Sequence, residues 1–590
     1  MTSESLLDQA ARCLQNGDLW GAESLCRQMI QRQPCFEGYV QLGVLLAWRG
    51  QSPEAAATFE QALRLKPDNP AVLFHYGNSL YALQRFQEAL ESYGKALAIF
   101  PDYPDCLINR AVVLCALDRF EEALIGLDRA ILLNPANPLA QHNRGLALSG
   151  LERFDEAVAA YDAALALAPQ LADAWNNRGV ALSKLQRFLE AVESYDRALS
   201  IDPGRADTYV NRGCALGELK RFAQALASHD KALSLNPSSA EAWYNRAVTL
   251  SELKRIEEAV ESYNQCIALA PNYANAGYNL SLCLLQLGLF EQGFRLYESR
   301  KHPPIDCRQP LWSGEDIGGR TLLVRAEQGL GDSIQFSRYV ALLQDKGARV
   351  ILSVPKNLVR LLRSLRWDME IVSADGPAPD FNCHVFLMSL PFLLRTTLET
   401  IPADIPYLAA EPELVRKWKD RVGEAGFKIG ICWKSSAPGA AIGKAIAVSQ
   451  FAKLSKIPGV RLISLQRHDE TGLEDLPEAV EQLGPQFDGG VDAFIDSAAV
   501  MQSLDLIVTS DTAIAHLAGA LGRPVWVALK RVPDWRWLLD RPDTPWYPTM
   551  RLFRQPASGD WDGLFVQIES ELAALVTDTG AKPIPSPKTP

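Results

Sequence analysis

Residues 177–203 read NRGVALSKLQRFLEAVESYDRALSIDP and residues 211–237 read NRGCALGELKRFAQALASHDKALSLNP, so one pattern returns 34 positions later almost position for position. Outward from this pair, Pro34, Pro67, Pro101, Pro135, Pro169, Pro203, Pro237 and Pro271 keep the register, spaced first by 33 and then by 34. Self-similarity at such a period marks a stack of repeats rather than one globular core. Phe86, Phe120, Phe154, Phe188 and Phe222 each stand three positions before Ala89, Ala123, Ala157, Ala191 and Ala225, one helical turn apart on a shared face. Small side chains let helices approach, and the aromatic fills the gap beside them. Each closing proline lacks an N–H and restricts the residue before it, so the second helix of a unit stops there and the next unit begins. The unit is two helices and two short turns.

These residues closely resemble the tetratricopeptide repeat family, in about nine units over residues 4–300. The resemblance implies an α-solenoid, a superhelix for gripping another protein, over residues 1–300. One row of polar residues points to a ligand. Asn109, Asn143, Asn177, Asn211, Asn245 and Asn279 recur at a spacing of 34, always in the first helix of the unit. Side-chain amides both donate and accept, so a stacked row of them can hold a peptide backbone without reading its sequence. The row resembles the asparagine ladder of O-linked N-acetylglucosamine transferases, which implies an acceptor polypeptide as partner. The competing reading is a common residue of the repeat that bonds to nearby backbone. Arg110, Arg144, Arg178, Arg212 and Arg246, each following an asparagine, read as solvated face or as contacts to an acidic partner.

The chain has 590 residues, 48% of them apolar and 22% charged, which is core material for two or more domains. Its net charge is −11, from 70 acidic and 59 basic residues, with no block rich in lysine and arginine. Nucleic acid is therefore not an expected partner. The start, MTSESLLDQAARCLQNGD, has no basic patch followed by an apolar stretch, and no later window is uncharged and apolar for about 18 residues. No signal peptide and no membrane span are expected. Eleven cysteines occur singly, without a CxxC pair, which suits a reducing cytoplasm and small buried thiols such as Cys115, Cys214 and Cys283.

After Arg300 the period stops, and KHPPIDCRQPLWSGEDIGG (301–319) reads as a linker. RTLLVRA (320–326) is a buried-type strand, GLGD (329–332) a tight turn, SIQFSRYVALLQDKG (333–347) an amphipathic helix and RVILSV (349–354) a second strand. Strand, glycine turn, helix and strand form the grammar of a parallel sheet. A second block has strands in FKIGICW (427–433), VRLISLQ (460–466), LDLIVTSD (504–511) and PVWVAL (524–529), with a helix in TAIAHLAGALG (512–522). PELVRKWKDRVGEAG (412–426) reads as a helix linking the blocks. Two Rossmann-like halves of this kind, 320–408 and 409–576, describe the GT-B arrangement of glycosyltransferases, an α/β fold with a crevice between an acceptor side and a donor side. The remainder, TDTGAKPIPSPKTP (577–590), has almost no large apolar side chain and reads as a disordered tail.

Two motifs make the resemblance specific. EQGLGDSIQF (327–336) is similar to the turn after the first strand of glycosyltransferase family nine, the heptosyltransferases, where the matching aspartate is the proposed general base. That implies catalysis by Asp332, beside Gly331; an N-cap of the following helix is the competing reading, and both can hold. SDTAIAHLAGALGRPVW (510–526) resembles the donor-binding motif of that family. Asp511, Thr512 and Ala513 at a strand end opening a helix would aim backbone N–H groups and the positive end of the helix dipole at a phosphate. His516, one turn beyond Thr512, would donate to a phosphate oxygen. Lys434 and Lys444 lie in the loop KSSAPGAAIGKAIAV (434–448), where relatives carry basic residues for the donor phosphates; solvated surface lysine is the competing reading. Trp535, Trp537 and Trp546 read as a hydrophobic lid rather than a sugar-stacking platform. Asp560 and Asp562 open the final helix and read as an N-cap rather than a metal site. No metal and no bound cofactor are expected, the nucleotide sugar being a co-substrate.

The function this implies is transfer of a sugar from a nucleotide sugar to a hydroxyl of a protein held by the repeats. The layout resembles bacterial protein glycosyltransferases that modify flagellin, which makes flagellin a candidate acceptor. A scaffold with a degenerate transferase module, and heptose transfer to a saccharide, are the alternatives.

Overall fold

In a computed structural model that describes residues 3–304, 307–377, 379–435, 445–467 and 476–579, the chain forms two compact units, Met1–Ser238 and Ser239–Pro590. The first is fourteen helices, from Ser3–Gln15 to Phe222–Leu235, in which helices of 13 and 14 residues alternate as hairpins. In several of the hairpins a glycine of the first helix lies under a ring of the second. A Cβ added to Gly179 would lie 2.5 Å from the Tyr195 ring, and Gly77, Gly145 and Gly213 meet Tyr93, Tyr161 and His229 in the same way. Glycine in the first helix is what lets the ring of the second lie across it. Ala89, Ala123, Ala157, Ala191 and Ala225 are fully buried, as their spacing predicts.

The turn inside the hairpin has its own rule. Gln84, Asp118, Glu152, Gln186 and Lys220 are left-handed, with φ between +56° and +60°. In each case the next residue, an arginine, donates its N–H to a carbonyl five residues back, as Arg187 does to Leu182 at 2.9 Å, closing a Schellman cap. In four of the five that arginine then grips the glutamate three positions on, as Arg187 does Glu190, and Arg221 meets Gln224 instead. The outermost repeats place Gly17 and Gly50 at the same left-handed position.

The second unit begins with two more hairpins, Ala240–Glu252 with Ile256–Leu269 and Ala276–Gln286 with Phe290–Tyr297. The compact units thus divide at Ser238, not where the repeats end near residue 300. Their last hairpin is tied to the α/β region by buried charge. Arg300 donates to Glu327 at 2.7 Å and to Ser389 at 2.8 Å, and Gln286 donates to the carbonyl of Pro533 at 2.6 Å.

Two wholly parallel sheets follow. The first has four strands, β1 (Thr321–Arg325), β2 (Arg349–Val354), β3 (Glu370–Ser373) and β4 (Cys383–Phe386), in the order β3-β2-β1-β4. The second has six, β5 (Phe427–Cys432), β6 (Val460–Ser464), β7 (Val480–Glu481), β8 (Leu506–Ser510), β9 (Val525–Leu529) and β10 (Met550–Arg554), in the order β10-β9-β8-β5-β6-β7. The linking helix is Pro412–Val422. The expected GLGD turn is instead the first turn of a helix, Leu330–Phe336, with Gly329 as its cap, and a 3₁₀ turn at Ser337–Tyr339 breaks the long helix read there. Helix extends to Thr579, so residues 577–579 of the expected tail are ordered by continuation of the Trp561–Thr579 helix, while 580–590 lie outside the described residues. Cys214, read as buried, is exposed. Among the described residues no helix is long and apolar enough to cross a membrane.

Candidate functional site

Parallel strands gather the loops after their carboxyl ends at one edge of a sheet, and ligands bind there where the strand order reverses. In the second unit four such loops line one cleft of about 360 Å³. Gln328–Asp332 follow β1, Ser435 follows β5, Asp511–Ala513 follow β8 and Asp534–Arg536 follow β9. β1 lies between β2 and β4, and β5 between β6 and β8, so both sheets present their points of reversal to it. Tyr278, Leu282 and Tyr297 of the last hairpin line the same space.

Asp332 is committed on both oxygens. Oδ2 accepts the N–H of Gly329 at 2.9 Å, the capping role, and Oδ1 accepts Nη2 of Arg536 at 2.5 Å. Arg536 also donates to Asp534 at 2.8 Å and to Gln335 at 3.1 Å, and its guanidinium lies 4.4 Å from the centroid of the Trp535 ring. Burial opposes the charge on Arg536, but the carboxylates of Asp332 and Asp534 outweigh it and push the guanidinium above its ordinary range. Sequence reading passed over Arg536; its one signal is a lone cation between two tryptophans. Gln328 and Tyr297 were missed too. Gln328 is left-handed at φ +63° and donates to the Tyr297 hydroxyl at 2.9 Å, a strained residue held by a partner.

Across the cleft, Thr512 is extended and caps the Ala513–Ala520 helix, whose first turn brings N–H groups without intrahelical acceptors and the positive dipole end to the cleft. Gly331 explains how the two motifs meet. A Cβ there would lie 3.1 Å from Cδ2 of His516 and 3.3 Å from Cα of Ala513, so glycine lets the Leu330–Phe336 helix cross this closely without pushing its neighbours aside. His516 is buried, stacks on Trp537 with centroids 5.2 Å apart, and has Nδ1 3.2 Å from the Tyr547 hydroxyl. Trp537 Nε1 donates to Asp511 at 2.9 Å. Trp535, Trp537 and Trp546 are all buried, and Trp535 lines the cleft.

Lys434 lies instead in an adjoining cavity of about 190 Å³ that shares Leu330, Ser435, Phe494, Thr512 and Ala513 with the cleft. Its N–H donates to Gln466 at 3.2 Å. Burial pushes the thiol of Cys432, at the same wall, up to about 11. Lys444 lies outside the described residues. Asp560 accepts the N–H of Gly563 at 2.8 Å, and Asp562 meets Lys453 and Gln450. Among the described residues no group of three or more His, Cys, Asp or Glu is placed to hold a metal ion.

The asparagine row is heterogeneous. In the first unit Asn109 donates to Asn78 at 2.8 Å, Asn177 accepts from Asn176 at 3.2 Å, Asn211 donates to Asn176 at 3.4 Å, and Asn143 is buried. In the second, Asn245 is half-buried and Asn279 donates to the Tyr244 hydroxyl at 2.9 Å. Asn279 also lines a cavity of about 310 Å³ bordered by Asp534 and Trp535. Within the arginine row, Arg178 bridges Asp162 at 2.6 Å and Ser194 at 2.7 Å, and Arg212 bridges Asp196 and Ser228 at the same distances.

Fold and repeats define the class: a run of tetratricopeptide repeats followed by an α/β region of two parallel sheets. Tetratricopeptide repeat families match residues 40–104 and 142–206, 80–144, 206–239 and 240–273. The chain is similar to Protein FlbA of Caulobacter vibrioides, with 27% identity over 48% of this chain, and spans about half (52%) of that relative's length. Among solved structures, a tetratricopeptide repeat protein from Parabacteroides merdae is 19% identical over 43% of this chain and 97% of its own, with a TM-score of 0.35. YrrB, a tetratricopeptide repeat protein with an unusual peptide-binding site, is 24% identical over 32% of this chain and 98% of its own, with a TM-score of 0.29.

Proposed function

We propose that this protein is a cytoplasmic glycosyltransferase that moves a sugar from a nucleotide-sugar donor to a hydroxyl of a protein acceptor offered by the repeats. The observation that carries the reading is the meeting, in one cleft, of a carboxylate after β1 with the start of the Ala513–Ala520 helix after β8. Each oxygen of a carboxylate has two lone pairs, so Asp332 can take a third hydrogen bond beside those from Gly329 and Arg536. In the proposed reaction the acceptor hydroxyl gives its proton to Asp332 as its oxygen bonds to the anomeric carbon. The bond from that carbon to the phosphate oxygen breaks, and its electron pair leaves with the nucleotide. Ala513 N–H, the helix dipole and His516 face the charge that develops there, and the Arg536 guanidinium adds a fixed positive charge. Flagellin is the acceptor we propose, on layout alone.

A nucleotide that binds the full chain, offered at about 100 times its Kd, stabilises the folded state by about 2.7 kcal/mol, a melting shift of several degrees, and UDP, ADP, GDP and CMP are the four to offer. We expect one of the four to do so, and D332N to keep that shift while lowering sugar transfer by at least about 100-fold. No shift from any of them would sink the enzyme reading and leave a repeat scaffold.

A further inference from the structure

His516 is connected, away from the cleft, to a buried cation. Its Nδ1 lies 3.2 Å from the Tyr547 hydroxyl, which lies 3.5 Å from the Tyr407 hydroxyl. Arg338 Nη2 donates to Tyr407 at 3.0 Å, and its other N–H groups go to the carbonyls of Gln335, Pro402 and Trp546. Arg338, Tyr407 and Tyr547 are all at most 1% exposed. Among the described residues Arg338 forms no ion pair with a carboxylate; it stacks on the rings of Tyr407 and Tyr547, 4.8 and 4.4 Å from their centroids. A buried charge without a counter-ion is costly, which makes its hydrogen-bond chain worth following.

The protons in that chain can be assigned one by one. Tyr407 accepts from Arg338 and gives its own hydrogen to the carbonyl of Ile334 at 3.0 Å. Its hydrogen is therefore not available to Tyr547. The Tyr547 hydrogen has two acceptors in reach, the Tyr407 oxygen at 3.5 Å and Nδ1 of His516 at 3.2 Å, and the second is the shorter. An imidazole that accepts at Nδ1 is neutral and carries its proton on Nε2. Tyr547 is held rigidly for this: a Cβ on Gly519 would meet its ring at 2.4 Å. The ring of His516 is equally fixed, by Trp537 on its face and by Gly331 at Cδ2, the atom next to Nε2 on the edge that meets the cleft-lining helix.

We propose that Tyr547, backed by Tyr407 and Arg338, is a positioning residue that fixes His516 as the neutral Nε2–H tautomer and so aims a hydrogen-bond donor into the cleft. The use of that donor, on a phosphate oxygen of the nucleotide, rests on the function proposed above; the tautomer does not.

Two measurements separate these. Nitrogen NMR of the full chain, labelled with ¹⁵N-histidine and assigned through the signal lost in H516Q, reads the tautomer directly. It should show Nδ1 unprotonated and Nε2 protonated in the native protein, and a mixture of tautomers in Y547F. A protonated Nδ1 in the native chain, or no change in Y547F, overturns the proposal. In the second, affinity for UDP, ADP, GDP and CMP is measured by calorimetry in H516Q and H516N. The amide nitrogen of glutamine reaches the place of Nε2 and that of asparagine the place of Nδ1. H516Q should bind roughly tenfold or more tightly than H516N. Equal loss in both overturns the proposed use of Nε2. Melting temperatures within a few degrees of native identify variants that fold. If none of the four nucleotides binds the native chain, the proposed function falls while the NMR result still decides the tautomer.

Discussion

In the repeat hairpin at Ala172–Lys184, Arg178 reaches across to Asp162 and Ser194, and 34 residues later Arg212 repeats the arrangement with Asp196 and Ser228. Those aspartates are about half exposed, and the bond is one copy of several. In the α/β region Arg536 is 9% exposed, occurs once, and joins Asp332 and Asp534, which follow strands of two different sheets. The contrast teaches what each kind of polar contact is for. In the repeats a cation satisfies its neighbours and any one copy can be lost; in the cleft it fixes the place of a carboxylate that nothing else duplicates.

Removing the two arginines tests this most harshly. R536A leaves two carboxylates beside a buried gap, and breaking a buried pair from one side costs roughly 3–5 kcal/mol. R178A breaks a partly exposed pair, for which about 0–1 kcal/mol is usual. Calorimetric unfolding of the full chain should show the difference, and R536M combined with D332N and D534N should recover much of the loss because neither carboxylate is then left stranded. If R536A and R178A are equally mild, the cleft arginine is no more than another surface contact.

A smaller effect sharpens the comparison within the repeats themselves, where glycines look alike in sequence and differ in space. A Cβ at Gly145 would lie 2.5 Å from the Tyr161 ring, whereas one at Gly217 meets nothing within 4 Å. G145A forces the ring aside and should cost about 1–3 kcal/mol. G217A only removes a helical glycine and should add about 0.5–1 kcal/mol. Urea unfolding midpoints of the two variants should therefore move in opposite directions; movement in the same direction would refute packing as the reason for Gly145.

These cases also mark how far the sequence could be read. Period 34 made the hairpins legible because every unit restates the same burial, and even the prolines that close the second helices fall where the helices end. The left-handed turns were hidden, since Gln84, Asp118, Glu152, Gln186 and Lys220 carry no glycine to announce them. Strands β1, β2, β5, β6, β8 and β9 were legible as apolar runs, whereas β3, β4, β7 and β10 were not; β7 is two residues long and β4, at four, is buried on both faces without alternation. In the cleft, Asp332, Thr512 and His516 stood out because each sits beside a glycine turn or a strand end. Arg536, Tyr297 and Tyr547 did not, because their meaning lies in partners 204, 31 and 31 residues away. No local pattern encodes such a distance.

The asparagine row lies between the two regimes, and the gentlest perturbation decides where it belongs. N177A, N211A and N245A together remove the Asn176–Asn177 and Asn211–Asn176 bonds, 3.2 and 3.4 Å long and only part-buried. Bonds of that kind contribute about 0.5–1 kcal/mol each, so the triple variant should melt within a few degrees of the native chain. If the amides work as the arginines do, satisfying neighbours, nothing further follows and a flagellin acceptor is bound as before. If they hold an acceptor backbone, three removed amides should weaken flagellin binding by about tenfold or more, read by interferometry, while the nucleotide melting shift stays unchanged. A fall in both would instead show that the row supports the folded arm itself, because three part-buried amides of the repeats have no other route to a loss of nucleotide binding.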